Sequence, residues 1–123
     1  MSQIRTFKDL IVWQKSHQLA LHVYEITKDF PSEEKFGLVS QTRRAVVSLA
    51  CNIVEGFRRR TIKDSLNFYN IAQSSLEELK YQLILSFDLR FINQKKYEII
   101  IRETEEVGRI LCGWISSNKQ KLK

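Results

Sequence analysis

Between Gly56 and Gly108 the chain runs for 51 residues without a glycine or a proline, and Pro31 is its one proline. A sheet of short strands needs tight turns, and tight turns draw on those two residues for backbone angles that other residues resist. A turn-rich β fold is excluded. Long helices are what such a stretch can form.

Apolar spacing places four helices. Leu10, Trp13, His17, Ala20, Tyr24 and Thr27 recur at steps of three and four, beside a second stripe of Val12, Leu19, Val23, Ile26 and Phe30. This predicts a first helix over about 7–29. Thr6 and Asp9 have the spacing of a capping box at its start, and Pro31 stops it. Ser32 is the expected N-cap of a second helix over 33–55, with Glu33 and Glu34 where the macrodipole favours acids and Gly56 as the left-handed residue that ends it. Its core positions read Leu38, Thr42, Ala45, Leu49 and Ile53. Thr61 with Asp64 opens a third helix over 62–90, and Asn93 caps a fourth over 94–118. There Ser116, Ser117 and Asn118 are expected to let the helix fray into a disordered tail over 119–123.

A chain of 123 residues is long enough to bury a core without disulfides or metals, and it reads as one domain, 1–123. Four helices with short connections turn back on themselves, so the expected fold is all-α: an up-down-up-down antiparallel four-helix bundle. Trp13, Tyr24, Phe30, Phe68, Tyr81, Leu85 and Leu89 are more apolar surface than one core stripe accommodates. Such a surplus marks an interface and predicts a homo-oligomeric ring; the alternative is a thick core wrapped by large aromatics.

Location follows from what is short or sparse. The longest nearly apolar run, Ala45 to Val54, has ten residues and cannot span a bilayer. Leu10 to Trp13 is too brief for a signal-peptide core. Cys51 and Cys112 stand 61 positions apart in apolar surroundings, as thiols packed in a reducing compartment would. No membrane association and a cytoplasmic location are expected.

The second helix carries an unusual pattern. Gln41, Arg44, Ser48, Asn52 and Glu55 step by three and four along one face, a polar ridge of four turns. Interior Ser and Asn are poor helix formers, so they either hydrogen-bond across a helix interface or meet a ligand. Around the ridge, Gly37-Leu38, Gln41, Arg43-Arg44-Ala45, Ser48 and Asn52-Ile53-Val54-Glu55-Gly56, followed by Arg59 or Arg60 and Lys63, resemble the signature of the four-helix bundle proteins called 23S rRNA intervening-sequence proteins. Phe7-Lys8-Asp9-Leu10, Val12-Trp13-Gln14, Phe30-Pro31 and Ser75 with Glu78-Leu79 resemble it too, so the likeness runs from Phe7 to about Ile115. Val54 departs from it, standing where an alanine is usual.

The resemblance implies a bacterial protein of largely unassigned role. Members of the family are often encoded within sequences interrupting 23S rRNA genes, and related proteins accompany diversity-generating retroelements. It also implies a homopentameric barrel, and for the retroelement accessory protein, binding to nucleic acid and a reverse transcriptase.

The formal net charge is +6. Between residues 43 and 63, Arg43, Arg44, Arg58, Arg59, Arg60 and Lys63 face Glu55 alone, six cations against one acid and a local +5. Such a cluster would attract the phosphates of RNA or DNA with little sequence preference and steep salt dependence. The alternative is a solvated cluster ending a helix, with Glu55 paired to Arg58 or Arg59.

No enzyme is expected. His17 and His22 lie about 140° apart around a helix and cannot share a metal. No Glu-x-x-His occurs, nor a Gly-rich phosphate loop, nor the Arg-x4-6-His pair of all-helical RNases, the nearest preceding arginine being Arg5. Glu77, Glu78, Glu103, Glu105 and Glu106 read as solvated faces. Catalytic residues, metals and cofactors are therefore expected to be none. An accessory nucleic-acid-binding protein and a scaffold that presents the polar ridge to a protein partner both remain, while a hydrolase has no feature in its favour.

Overall fold

The computed structural model describes residues 3–122. Four helices carry them: α1 (Ile11–Thr27), α2 (Leu38–Arg58), α3 (Ile62–Asp88) and α4 (Gln94–Gln120), with single 3-10 turns at Phe7–Asp9 and Ser32–Glu34. Each helix packs on its two neighbours, α2 against α3 most extensively, and α1 closes the circle on α4. Among the described residues the diagonal pairs make no close backbone approach. Neighbours run antiparallel: Ser48 of α2 meets Ser75 of α3, whereas the later Gly56 meets the earlier Tyr69.

The core follows the sequence stripes. Val23, Leu49, Ile53, Leu79, Leu83 and Leu111 are fully buried, each contributing roughly 1.5–3 kcal/mol by leaving water. In α1 the second stripe is the buried one, with Ser16 and Thr27 tucked among its apolar residues, their hydroxyls donating to the Val12 and Val23 carbonyls. Trp13, His17, Ala20 and Tyr24 turn partly outward.

Helix ends depart from expectation for local reasons. Thr6 and Asp9 do form a capping box, but it closes the 3-10 turn, and the extended backbone of Leu10 separates that turn from α1. Ser32 opens only a second 3-10 turn. The N-terminus of α2 lies at Gly37, and the Glu34 carboxylate caps it by accepting from the Leu38 N–H at 3.0 Å. A Cβ at Gly37 would meet that carboxylate at 2.7 Å, so a side chain there would push the Glu34 carboxylate from its capping position.

Gly56 does not end α2 and has no positive φ; the helix continues to Arg58. It is glycine because a Cβ would overlap the Tyr69 ring, which lies directly against the α2 backbone. At the far end of α3, Arg90 takes the left-handed conformation (φ 66°), while Phe91 N–H donates to the Ser86 carbonyl and Arg90 N–H to that of Phe87. That is a Schellman closure with arginine in the usual glycine position. The α4 helix does not fray at Ser116: Asn118 is buried and donates to the Trp114 carbonyl at 2.7 Å. Lys119 and Gln120 are helical, which corrects the disordered tail; Lys123 lies outside the described residues.

Candidate functional site

The polar ridge of α2 divides. Ser48 Oγ lies 2.7 Å from Ser75 Oγ, and Asn52 Nδ2 donates to the Ser48 carbonyl at 2.8 Å and to its hydroxyl at 3.2 Å. These small side chains satisfy one another across the α2–α3 seam, which lets the two backbones come close. Gln41, Arg44 and Glu55 stay exposed.

The basic residues divide in the same way. Arg43 is half-buried and fastens α1 to α2: its Nε donates to Thr27 Oγ1 at 2.9 Å, its Nη2 to the Tyr24 carbonyl at 3.3 Å, and its guanidinium lies 4.5 Å from the Tyr24 ring centroid. This clasp serves the end of α1, where carbonyls lack helical partners. Arg59 pairs with the Glu55 carboxylate, donates from Nε to the Glu55 carbonyl at 3.1 Å, and lies over Phe68. Arg44, Arg58, Arg60 and Lys63 are exposed and, among the described residues, make no side-chain hydrogen bond or ion pair. Arg58, Arg60 and Lys63 flank the α2–α3 turn, and Arg44 lies roughly 21 Å back along α2.

Two acids of that region are engaged. Glu55 belongs to Arg59, and the Arg5 and then the Thr6 backbone N–H groups hold the Asp9 carboxyl below its usual value. Of the acids in the sequence there, Asp64 is the other, one position after Lys63.

Two features were not visible in the spacing. His22 Nδ1 meets the Glu103 carboxylate, and Lys15 lies 3.5 Å from Glu106, so two cross-links bind α1 to α4. Glu103 and Glu106 are thus contacts and not a purely solvated face; no local signal links residues 81 positions apart. His17 stacks on Trp13 at 5.0 Å. The second feature is an open apolar groove of about 500 Å³ between α1 and α2, lined by Trp13, Leu21, Tyr24, Val47, Cys51 and Val54. Cys51 and Cys112 are exposed free thiols, not packed ones, because both lie on outward faces of their helices. Of the seven residues expected to overfill the core, Phe30 alone is buried; Tyr24, Tyr81 and Leu89 are exposed. Among the described residues no three His, Cys, Asp or Glu side chains gather as a metal site, and no helix is long and apolar enough to cross a membrane.

Fold and surface together define a four-helix bundle protein with unpaired cations beside the α2–α3 turn. Residues 8–113 match the 23S rRNA-intervening sequence protein family, and the chain belongs to it. It is similar to a crystal structure from Bacteroides thetaiotaomicron of a protein with unknown function from the S23 ribosomal protein family, at 29% identity and a TM-score of 0.81, over 89% of this chain and 98% of that one. Among curated proteins there is no match.

Proposed function

We propose that this chain is a non-enzymatic cytoplasmic accessory protein, homo-oligomeric, that holds the phosphate backbone of nucleic acid through the cations around its α2–α3 turn. The observation that carries this reading is the contrast within the basic cluster. Arg43 and Arg59 are occupied by protein partners, whereas Arg58, Arg60 and Lys63 point no contact at the fold and face solvent together. Three like charges side by side oppose folding and favour a polyanion. Contacts to the phosphate backbone carry no base identity, so such binding would be sequence-tolerant.

The oligomer rests on the α1–α2 groove, where Leu21 is 60% exposed and Tyr24 and Val47 about two-fifths. A second copy of the chain is the occupant of this reading, in a ring of five as the family resemblance implies. Sedimentation of the wild type at micromolar concentration tests it: an assembly that Leu21→Glu with Val47→Glu dissolves supports the groove, and a wild-type monomer rejects the oligomer.

The nucleic-acid reading is tested by R58Q/R60Q/K63Q, with Arg59 kept because of its Glu55 and Phe68 contacts. Loss of duplex binding at low salt with an unchanged melting temperature is the expected result. Unchanged binding removes the turn from the account, and recovery of one protein partner after nuclease treatment would favour a scaffold.

A further inference from the structure

The charge of this protein sorts by end of the bundle. Antiparallel packing brings three stretches, distant in sequence, to the end that holds the α2–α3 turn. Ahead of α1, Ile4, Asp9 and Leu10 share a cavity with Trp114 and Ser117 of α4, and Phe7 packs on Trp13 beside Val54 of α2. The Tyr69 ring lies against Gly56 and 6.1 Å from the Trp114 ring, and Lys121 Nζ lies 5.8 Å from Trp114. N-terminal segment, α2–α3 turn and α4 C-terminus are therefore one surface.

That surface holds Arg5 and Lys8 from the N-terminal segment, Arg58 to Arg60 and Lys63 from the turn, and Lys119 and Lys121 from α4: eight cations against Asp9, Glu55 and Asp64. The opposite end, residues 25–37 and 86–98, has five cations and six acids. The added cations Arg5, Lys8, Lys119 and Lys121 are all exposed and form no ion pair among the described residues. Arg5 uses its backbone N–H for the Asp9 carboxylate, leaving the guanidinium free.

From this placement we infer that the phosphate-binding surface is the whole end of the bundle, built by three segments, with Arg5, Lys8, Lys119 and Lys121 binding phosphates alongside Arg58, Arg60 and Lys63. This rests on the nucleic-acid reading above and extends it from one turn to a face. Helices spaced 8–10 Å apart make such a face about 20 Å across, wide enough to contact several phosphates of a duplex at once. Partner recognition then depends on the backbone of either RNA or DNA, with no base edge required.

The test measures binding of the full chain to a fluorescent RNA duplex, a DNA duplex and inorganic polyphosphate across a salt series. Three variants are compared with wild type: R58Q/R60Q/K63Q, R5Q/K8Q/K119Q/K121Q, and a control at the opposite end with the same charge loss, K28Q/K35Q/K95Q/K96Q. Melting by circular dichroism verifies that each folds, which their exposed positions favour. The expected result is that R5Q/K8Q/K119Q/K121Q weakens duplex binding at least tenfold and flattens the log–log salt slope by roughly 3 to 4, about 0.9 per lost contact, while the control changes neither. If the turn variant loses binding and R5Q/K8Q/K119Q/K121Q does not, the three-segment face is wrong and the turn reading stands; if the control loses as much as either, binding follows net charge alone and both readings fail. If no variant affects duplex binding, or if only polyphosphate is bound, both readings fail.

Discussion

The two ends of this bundle use charge in opposite ways. At the end formed by residues 25–37 and 86–98, charged and polar side chains complete the backbone: Arg43 clasps the Tyr24 carbonyl and the Thr27 hydroxyl at the end of α1, the Glu34 carboxylate caps α2, Asn93 caps α4, and Arg90 turns the chain after α3. At the other end, apart from Asp9 in the N-terminal capping box and Arg59 on the Glu55 carbonyl, the helices are closed by neutral groups. Thr61 caps α3, Asn118 finishes α4, Tyr69 fills the space that Gly56 leaves, and the cations are left over. Charge that folding consumes is silent toward partners; charge that folding leaves unpaired is available to them. A count of basic residues therefore says little until each has been assigned to a backbone group or to solvent.

The largest effect expected from breaking this contrast lies at the basic end. Tyr69→Ala removes a buried ring that joins α2, α3 and α4, and should cost about 3–5 kcal/mol in chemical denaturation. Gly56→Ala presses a methyl into the same ring and should cost about 1–3 kcal/mol. A loss under 0.5 kcal/mol in both would show that the ring is not the keystone of that end.

At the closed end, Arg43→Ala should cost about 1–2 kcal/mol, since it removes a charged donor from Thr27 and Tyr24. Arg43→Lys should recover little of it, because an ammonium cannot serve both acceptors and stack on the Tyr24 ring as a planar guanidinium does. Neither variant should alter the salt slope of nucleic-acid binding, which separates the clasp from the binding surface.

Smaller changes sharpen the picture. Arg90→Gly relieves a left-handed non-glycine residue and should stabilise the fold by about 0.5–1 kcal/mol, read from the denaturation midpoint. The smallest effect concerns acid. The Asp9 carboxyl is held below its ordinary 3.8 by the Arg5 and Thr6 N–H groups, so the stability it lends is full above that value and disappears as pH falls through its lower folded value. Hydrogen exchange at the Arg5 and Thr6 amides should speed up over that window, and Asp9→Asn should remove the pH dependence.

The sequence made the four helices legible because apolar spacing and the missing glycines are local properties. Thr6, Thr61 and Asn93 were equally readable, since a cap acts within one turn. Gly56 was not: its neighbour Tyr69 belongs to another helix, and a glycine near a helix end has the same appearance whether it serves backbone freedom or close packing. The polar ridge was visible as a pattern, but only Ser75 across the seam shows that Ser48 and Asn52 are spent on packing. Likewise the spacing exposed a basic cluster at 43–63, yet it counted Arg43 and Arg59 as equal to Arg58, and it could not join Lys8 to Lys119. Those relations exist only after the chain has folded back on itself.

If the basic end holds a phosphate backbone, wild-type binding to a DNA duplex must depend steeply on salt. Titrations from about 50 to 200 mM salt should give log Kobs falling linearly with log salt, with a slope of about −3 or steeper, as at least three neutralised phosphates require. No binding at the lowest salt, or a slope near zero, would contradict the account.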